Sequence, residues 1–241
     1  MSATINKQQV LTTALAVLKK KFPAPPEPEE KRPVLEEVVY AILREGVPTA
    51  DADAAYARVR EAFFDWNEVR VSTIQEVADV LGVYPDADDR GKRMIEFLQE
   101  HFERDYSFTL DDLEKKGLKQ AAKQLARYKG KGVTDFVVAW VTQRTLGGHA
   151  IPLDAPTLRV LRRLGVLEED ADDLEALRAT VEHFIPKAKG YEFTEEMIQH
   201  ATVVCTEAAP QCSVCPLRSD CPAGQDFLAK AKELKSKPKS R

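Results

Sequence analysis

Net positive charge is missing from this chain: 35 Lys and Arg stand against 39 Asp and Glu in 241 residues, a formal net charge of −4. Any affinity for a polyanion must therefore come from local clusters and not from the total. Long apolar runs are missing too. No stretch approaches the ~20 residues that cross a bilayer, and the amino terminus carries neither a continuous apolar core nor a cleavage site. A soluble cytoplasmic protein with no membrane partner is expected. Alternation of apolar and polar residues long enough for a sheet is absent, as is any internal repeat, so the expected fold class is all-α. There are only four cysteines, all close together. What is present is enough apolar residue, 44%, for an ordinary core, so disorder is not the default.

Residues Ile5, Val10, Leu11, Ala14, Leu15, Leu18 and Phe22 recur near helical period and predict an amphipathic first helix. Five prolines in the eleven residues between Phe22 and Val34 forbid a helix there and favour an extended strap. Helical patterns then follow at 34–45, 52–64, 73–81, 93–102, 110–114, 119–127 and 134–145, and again near 156–164, 172–184 and 194–205. Ser72 with Gln75, and Thr109 with Asp112, have the spacing of helix-start capping pairs. The last segment, 226–241, carries Lys230, Lys232, Lys235, Lys237, Lys239 and Arg241, and reads either as a solubilising tail or as a DNA-contacting one.

All four cysteines fall in CTEAAPQCSVCPLRSDC, as Cys205-x6-Cys212-x2-Cys215-x5-Cys221. With thiols reduced in a cytoplasm, a metal site is the stronger reading than disulfides. Thiolates suit tetrahedral zinc or an iron–sulfur cube, and the unequal x6 and x5 arms around one x2 pair favour the bulkier object. This spacing resembles the iron–sulfur loop of endonuclease III and the adenine DNA glycosylases. The resemblance implies a [4Fe–4S] cluster on Cys205, Cys212, Cys215 and Cys221. It also implies phosphate contacts from that loop, here Arg218 with Lys187 and Lys189.

A second segment, KQAAKQLARYKGKGVTDFVVAWV, reads as helix, tight turn, helix, and lies in a run of seven basic residues from Lys115 to Lys131 with no acidic one. By itself this is a solvated helix face with a glycine turn. It is also similar to the helix-hairpin-helix of the same superfamily, in which turn amides bind DNA phosphates. That likeness implies DNA binding through Lys129, Gly130, Lys131, Gly132 and Thr134. The sequence departs from the family at Tyr128-Lys129, where Leu-Pro is usual, and at Lys131, where an apolar residue normally plugs the turn into the core.

The likeness further implies a catalytic Asp at Asp154 in IPLDAPTLRVLRRLG, a position that is equally a helix N-cap followed by Pro in the first turn. The lysine that gives bifunctional relatives their lyase step falls on Thr134, and a hydroxyl forms no Schiff base. The relatives' Leu-Ser-Gln-Asn-Thr stretch, whose Gln fills the gap left by the flipped base, falls on Leu43-Arg44-Glu45-Gly46-Val47. Glu45 would then set a carboxylate inside a polyanion. The adenine-glycosylase carboxylate position falls near Tyr40.

Together these imply two interlocked helical domains: a six-helix barrel with the hairpin over 32–147, and a cluster domain from 1–31 and 148–225, with DNA across the cleft. The implied protein is a monomeric, nucleoid-associated base-excision-repair protein on double-stranded DNA, a monofunctional DNA glycosylase. Two rivals are a catalytically inactive paralogue that recognises distorted duplex and, from another class, a zinc-binding helical adaptor.

Overall fold

Twelve α-helices account for most of the residues described in the computed structural model, 6–27 and 30–236, with side chains described as far as residue 231. No strand occurs among them, and a lone β-bridge joins Lys129 to Val133. The all-α expectation holds. Residues Ile5, Lys237, Lys239 and Arg241 lie outside the described residues, as do the side chains of Lys232 and Lys235.

The chain forms two compact units, one of residues 26–153 and one that joins the described residues up to Pro25 to those from Asp154 onward. In the first, α2 (Val34–Arg44) buries every residue except Glu36, as expected of a helix apolar nearly all round. It packs against α3 (Thr49–Ala62), α6 (Ala87–Asp105) and α8 (Asp135–Arg144). The charge it buries is paired: Glu37 accepts from Trp140 Nε1 at 2.6 Å and faces Arg32 at 3.5 Å. Helix α4 (Trp66–Val71) and α5 (Ile74–Leu81) pack on α6, and α7 (Leu118–Leu125) packs on α8. Gly91 permits the α5–α6 approach, because a Cβ there would stand 3.3 Å from Val77 Cβ and from the Ile74 carbonyl oxygen.

In the second unit α1 (Lys7–Lys21) buries Val10, Leu11, Ala14 and Leu18 and lies on α11 (Gly190–Val203). Helix α11 in turn packs on α9 (Ala155–Arg163), which α12 (Pro222–Ser236) also meets; α10 (Leu174–Phe184) completes the unit.

The structure corrects the sequence at several helix ends. The capping box belongs to Thr73 and Glu76, not Ser72 and Gln75: Thr73 Oγ1 accepts from Glu76 N at 3.2 Å, and Glu76 Oε2 accepts from Thr73 N at 2.7 Å. Ser72 instead ends α4, a six-residue helix too short to show a period, which starts on the Asp65 side chain. Thr109 Oγ1 accepts from Asp111 N at 3.3 Å at the head of a single 3₁₀ turn, not from Asp112. Helix α3 starts three residues early, at the Pro48 cap, and α6 runs from Ala87 because Gly91 is taken into the helix by packing.

Candidate nucleic-acid interface and cysteine site

Helix α7 ends in a 3₁₀ turn, Ala126–Tyr128, and the chain reverses through Lys129–Val133 into α8. Both turn glycines have positive φ, 79° at Gly130 and 77° at Gly132, where any other residue is strained. They are not equivalent. A Cβ on Gly130 would meet nothing within 4 Å, whereas one on Gly132 would run into the backbone carbonyl of Arg93 on α6. The departure at Tyr128 is resolved by packing: Tyr128 is buried, edge-on to Phe97 at 5.2 Å, with its hydroxyl 2.9 Å from His101 Nδ1. Tyr128 and the buried Val133 anchor the turn, so Lys131 is free to stand in solvent, 3.9 Å from Glu100. Lys129 is ion-paired with Asp135. Lys119, Lys123 and Arg127 are exposed and make no ion pair among the described residues.

Thr134 is the N-cap of α8, and its Oγ1 accepts from Val137 N at 3.3 Å. Its proton goes to Glu45, whose Oε2 lies 2.9 Å from Thr134 Oγ1 and 2.5 Å from Arg93 Nη2. Arg93 Nε donates to the Gly132 carbonyl at 3.0 Å. The Glu45 carboxylate is thus neutralised by a guanidinium and seated at the positive end of a helix, which removes most of the repulsion a bare anion would offer a phosphate.

The turn that carries Glu45 is itself pinned. Arg90 donates to the carbonyls of Ile42, Leu43 and Glu45, the last at 2.6 Å, and Tyr84 Oη donates to the Leu43 carbonyl at 2.7 Å. These cationic and hydroxyl donors satisfy the carbonyls that a helix end leaves open. Arg90 also holds the Pro85 carbonyl at 3.0 Å. Turns 43–47, 82–86 and 130–134 are therefore tied together by Glu45, Arg90, Arg93 and Tyr84, with the apolar Val83 fully exposed beside Gly82. Sequence reasoning found Glu45, Gly132 and Thr134 but neither arginine, since no local signal marks partners so far apart along the chain.

Asp154 belongs to the other unit. It is 3% exposed and caps α9, its Oδ1 accepting from Thr157 N at 2.8 Å.

The four cysteines line one cavity of about 400 Å³, counted with its open mouth, whose walls include Arg163 and His200. Among the described residues no three Cys, His, Asp or Glu side chains are placed to hold a single metal ion. Helix α9 grips the loop: Arg163 Nη1 donates to Cys205 Sγ at 3.3 Å and to the Thr206 carbonyl at 2.7 Å, and Arg159 Nε to the Cys205 carbonyl at 3.1 Å. At the start of α12, Gly224 N donates to Cys221 Sγ at 3.3 Å. A Cβ on Gly224 would come within 3.3 Å of that sulfur and 4.0 Å of Cys212 Sγ, so the glycine keeps the space beside the thiols open. Burial pushes the thiols of Cys212, Cys215 and Cys221 up, so any metal that binds displaces protons. Arg218 is exposed and bonds the Ser213 carbonyl at 2.9 Å; Lys187 is exposed and Lys189 pairs with Glu192 at 2.9 Å.

Compared with solved structures, the chain is similar to an endonuclease III in a non-covalent complex with DNA, with a TM-score of 0.70 and 22% identity over 94% of this chain and 100% of that one. The fold is that of endonuclease III. The same fold is met in a trapped covalent endonuclease III–DNA intermediate (TM-score 0.69, 21% identity, 93% and 100% of the two chains). A thermostable thymine-DNA glycosylase is also similar (TM-score 0.63, 17% identity, 91% and 97%). No family model matches the chain. Among the described residues no helix is long and apolar enough to cross a membrane.

Proposed function

We propose that this protein is a DNA glycosylase on the endonuclease III fold that hydrolyses the N-glycosidic bond of a damaged or mispaired base and has no lyase step. The observation that carries the reading is Asp154, buried at the head of α9, in a chain that shares this fold over 94% of its length. A carboxylate there stabilises the cationic sugar as the C1′–N bond breaks, and orients the water that adds to C1′. The hairpin amides around Gly130–Gly132 and the solvent-facing Lys119, Lys123 and Arg127 supply the phosphate contacts. Val83 offers an exposed apolar side chain of the kind that wedges between bases. Loss of the lyase step follows from Thr134, whose hydroxyl is committed to capping α8 and to Glu45.

Cys205, Cys212, Cys215 and Cys221 would hold a [4Fe–4S] cluster. Tetrahedral zinc at ~2.3 Å from four sulfurs needs them about 3.8 Å apart around one point, whereas a cube offers each thiolate its own iron. Four thiols around one cavity support a group of that size. When bound, the cluster supplies a cross-link through the loop and a one-electron couple.

The alternative, a binder without turnover, is favoured by one observation: Glu45 occupies an anion seat at the start of α8. The test is incubation of the full chain with duplexes bearing uracil, oxidised pyrimidines, mismatches or alkylated bases, followed by alkali. Strand cleavage only after alkali is the expected result. Salt-sensitive duplex binding with no cleavage on any lesion would give the alternative the field.

A further inference from the structure

One buried group beside the cysteines has no part in anything above. His200 sits on α11, 1% exposed, with its ring 5.8 Å from that of Phe22 and its Nε2 3.8 Å from Cys215 Sγ. Its Nδ1 is buried without a hydrogen-bond partner. One turn earlier on the same face stands Glu196, 1% exposed, with both carboxylate oxygens also unpartnered.

We infer, on the strength of the cluster reading, that His200 is a positioning residue for the metal centre: its Nε2–H donates to the Cys215 sulfur and stabilises it as an iron ligand. A neutral imidazole has a single N–H to place. On Nδ1 that hydrogen would be a buried donor facing no acceptor, and the Nε2 lone pair would point at an electron-rich sulfur. On Nε2 it meets the Cys215 sulfur. Helix α11, clamped between α1 and α9, fixes the direction in which the ring points.

A hydrogen bond to a ligand sulfur draws electron density from it and favours the reduced, more negative cluster, so removing the donor lowers the reduction potential. The full chain, made anaerobically and loaded with iron and sulfide, is assayed for bound iron and then titrated electrochemically. His200→Phe keeps its iron and shifts to a lower potential than the wild type, while His200→Gln, which keeps an amide donor, lies between the two. An iron-replete His200→Phe protein with an unchanged potential overturns the inference alone. A wild-type chain that takes up no iron overturns the cluster reading and this inference with it. If His200→Phe does not load, the ¹⁵N resonances of histidine-labelled wild type decide: protonation at Nε2 is expected, and protonation at Nδ1 overturns the assignment.

Discussion

Thr134 and Asp154 both cap helices, and both take the helix-start amide that an N-cap exists to satisfy. Capping and the proposed catalysis can be separated at Asp154. Asn caps as well as Asp, so Asp154→Asn leaves thermal stability within roughly 0.5 kcal/mol, yet it removes the charge that the proposed reaction sets against the sugar cation, and turnover is expected to fall by at least about 100-fold while duplex binding persists. Unchanged turnover removes Asp154 from the mechanism. At Thr134 the neighbour matters more than the residue. Thr134→Lys installs an amine, but the Glu45 carboxylate beside it raises the amine pKa and keeps it protonated. Borohydride trapping on abasic duplex therefore stays weak in Thr134→Lys and rises roughly tenfold when Glu45→Gln is added, a change worth about one pKa unit. Equal trapping in the single and double variants would show that Glu45 has no hold on this position.

At the scale of elements, the hairpin and α11 are set by different forces. The hairpin depends on one close approach. Gly130→Ala introduces only positive-φ strain, about 1 kcal/mol, whereas Gly132→Ala must also push the turn off the Arg93 carbonyl, and loses on the order of 3 kcal/mol in denaturant unfolding. Equal losses would show that the turn does not rest on α6. Helix α11 carries its strain as buried charge. Burial above all, with Glu192 adding, raises the Glu196 carboxyl from 4.5 to about 7, against Lys19 and Lys189, which lower it. Because the folded-state pKa lies above the unfolded one, the penalty is absent below 4.5, grows as pH rises, and is complete above about 7. Glu196→Gln is accordingly more stable than the wild type at pH 8 by on the order of 2 kcal/mol and little changed at pH 5. Most of the helices were legible from their period, but α12 was not: residues from 226 on read as a basic tail, whereas the helix runs Pro222–Ser236, because lysines on most of its turns mask an apolar stripe. Nor was helix α4, because six residues make less than two turns, and Ser72 was misread because its neighbour Thr73 carries the same capping chemistry.

For the molecule as a whole, the net charge of −4 hides the local charge on which the proposed contact with DNA rests. The basic run from Lys115 to Lys131 is only partly spent: Lys115, Lys129 and Lys131 face Asp112, Asp135 and Glu100, while Lys119, Lys123 and Arg127 stand in solvent. With about three phosphates neutralised, the logarithm of duplex affinity falls with the logarithm of salt at a slope near −3. Reversal of Lys119, Lys123 and Arg127 to Glu flattens that slope; an unaltered slope places the contact elsewhere. The sequence by itself determined the helical class, the cysteine spacing, the glycines of the hairpin and the Asp at the head of α9, because each is written in residues a few positions apart. It could not show that Glu45 is paired, since Arg93 and Thr134 lie 48 and 89 residues away. Nor could it show that Arg163 and His200 face the sulfurs, from 42 and 15 residues away. Charge pairing and hydrogen bonding act over a few ångströms of space, and only the packing of helices decides which distant residues share those ångströms.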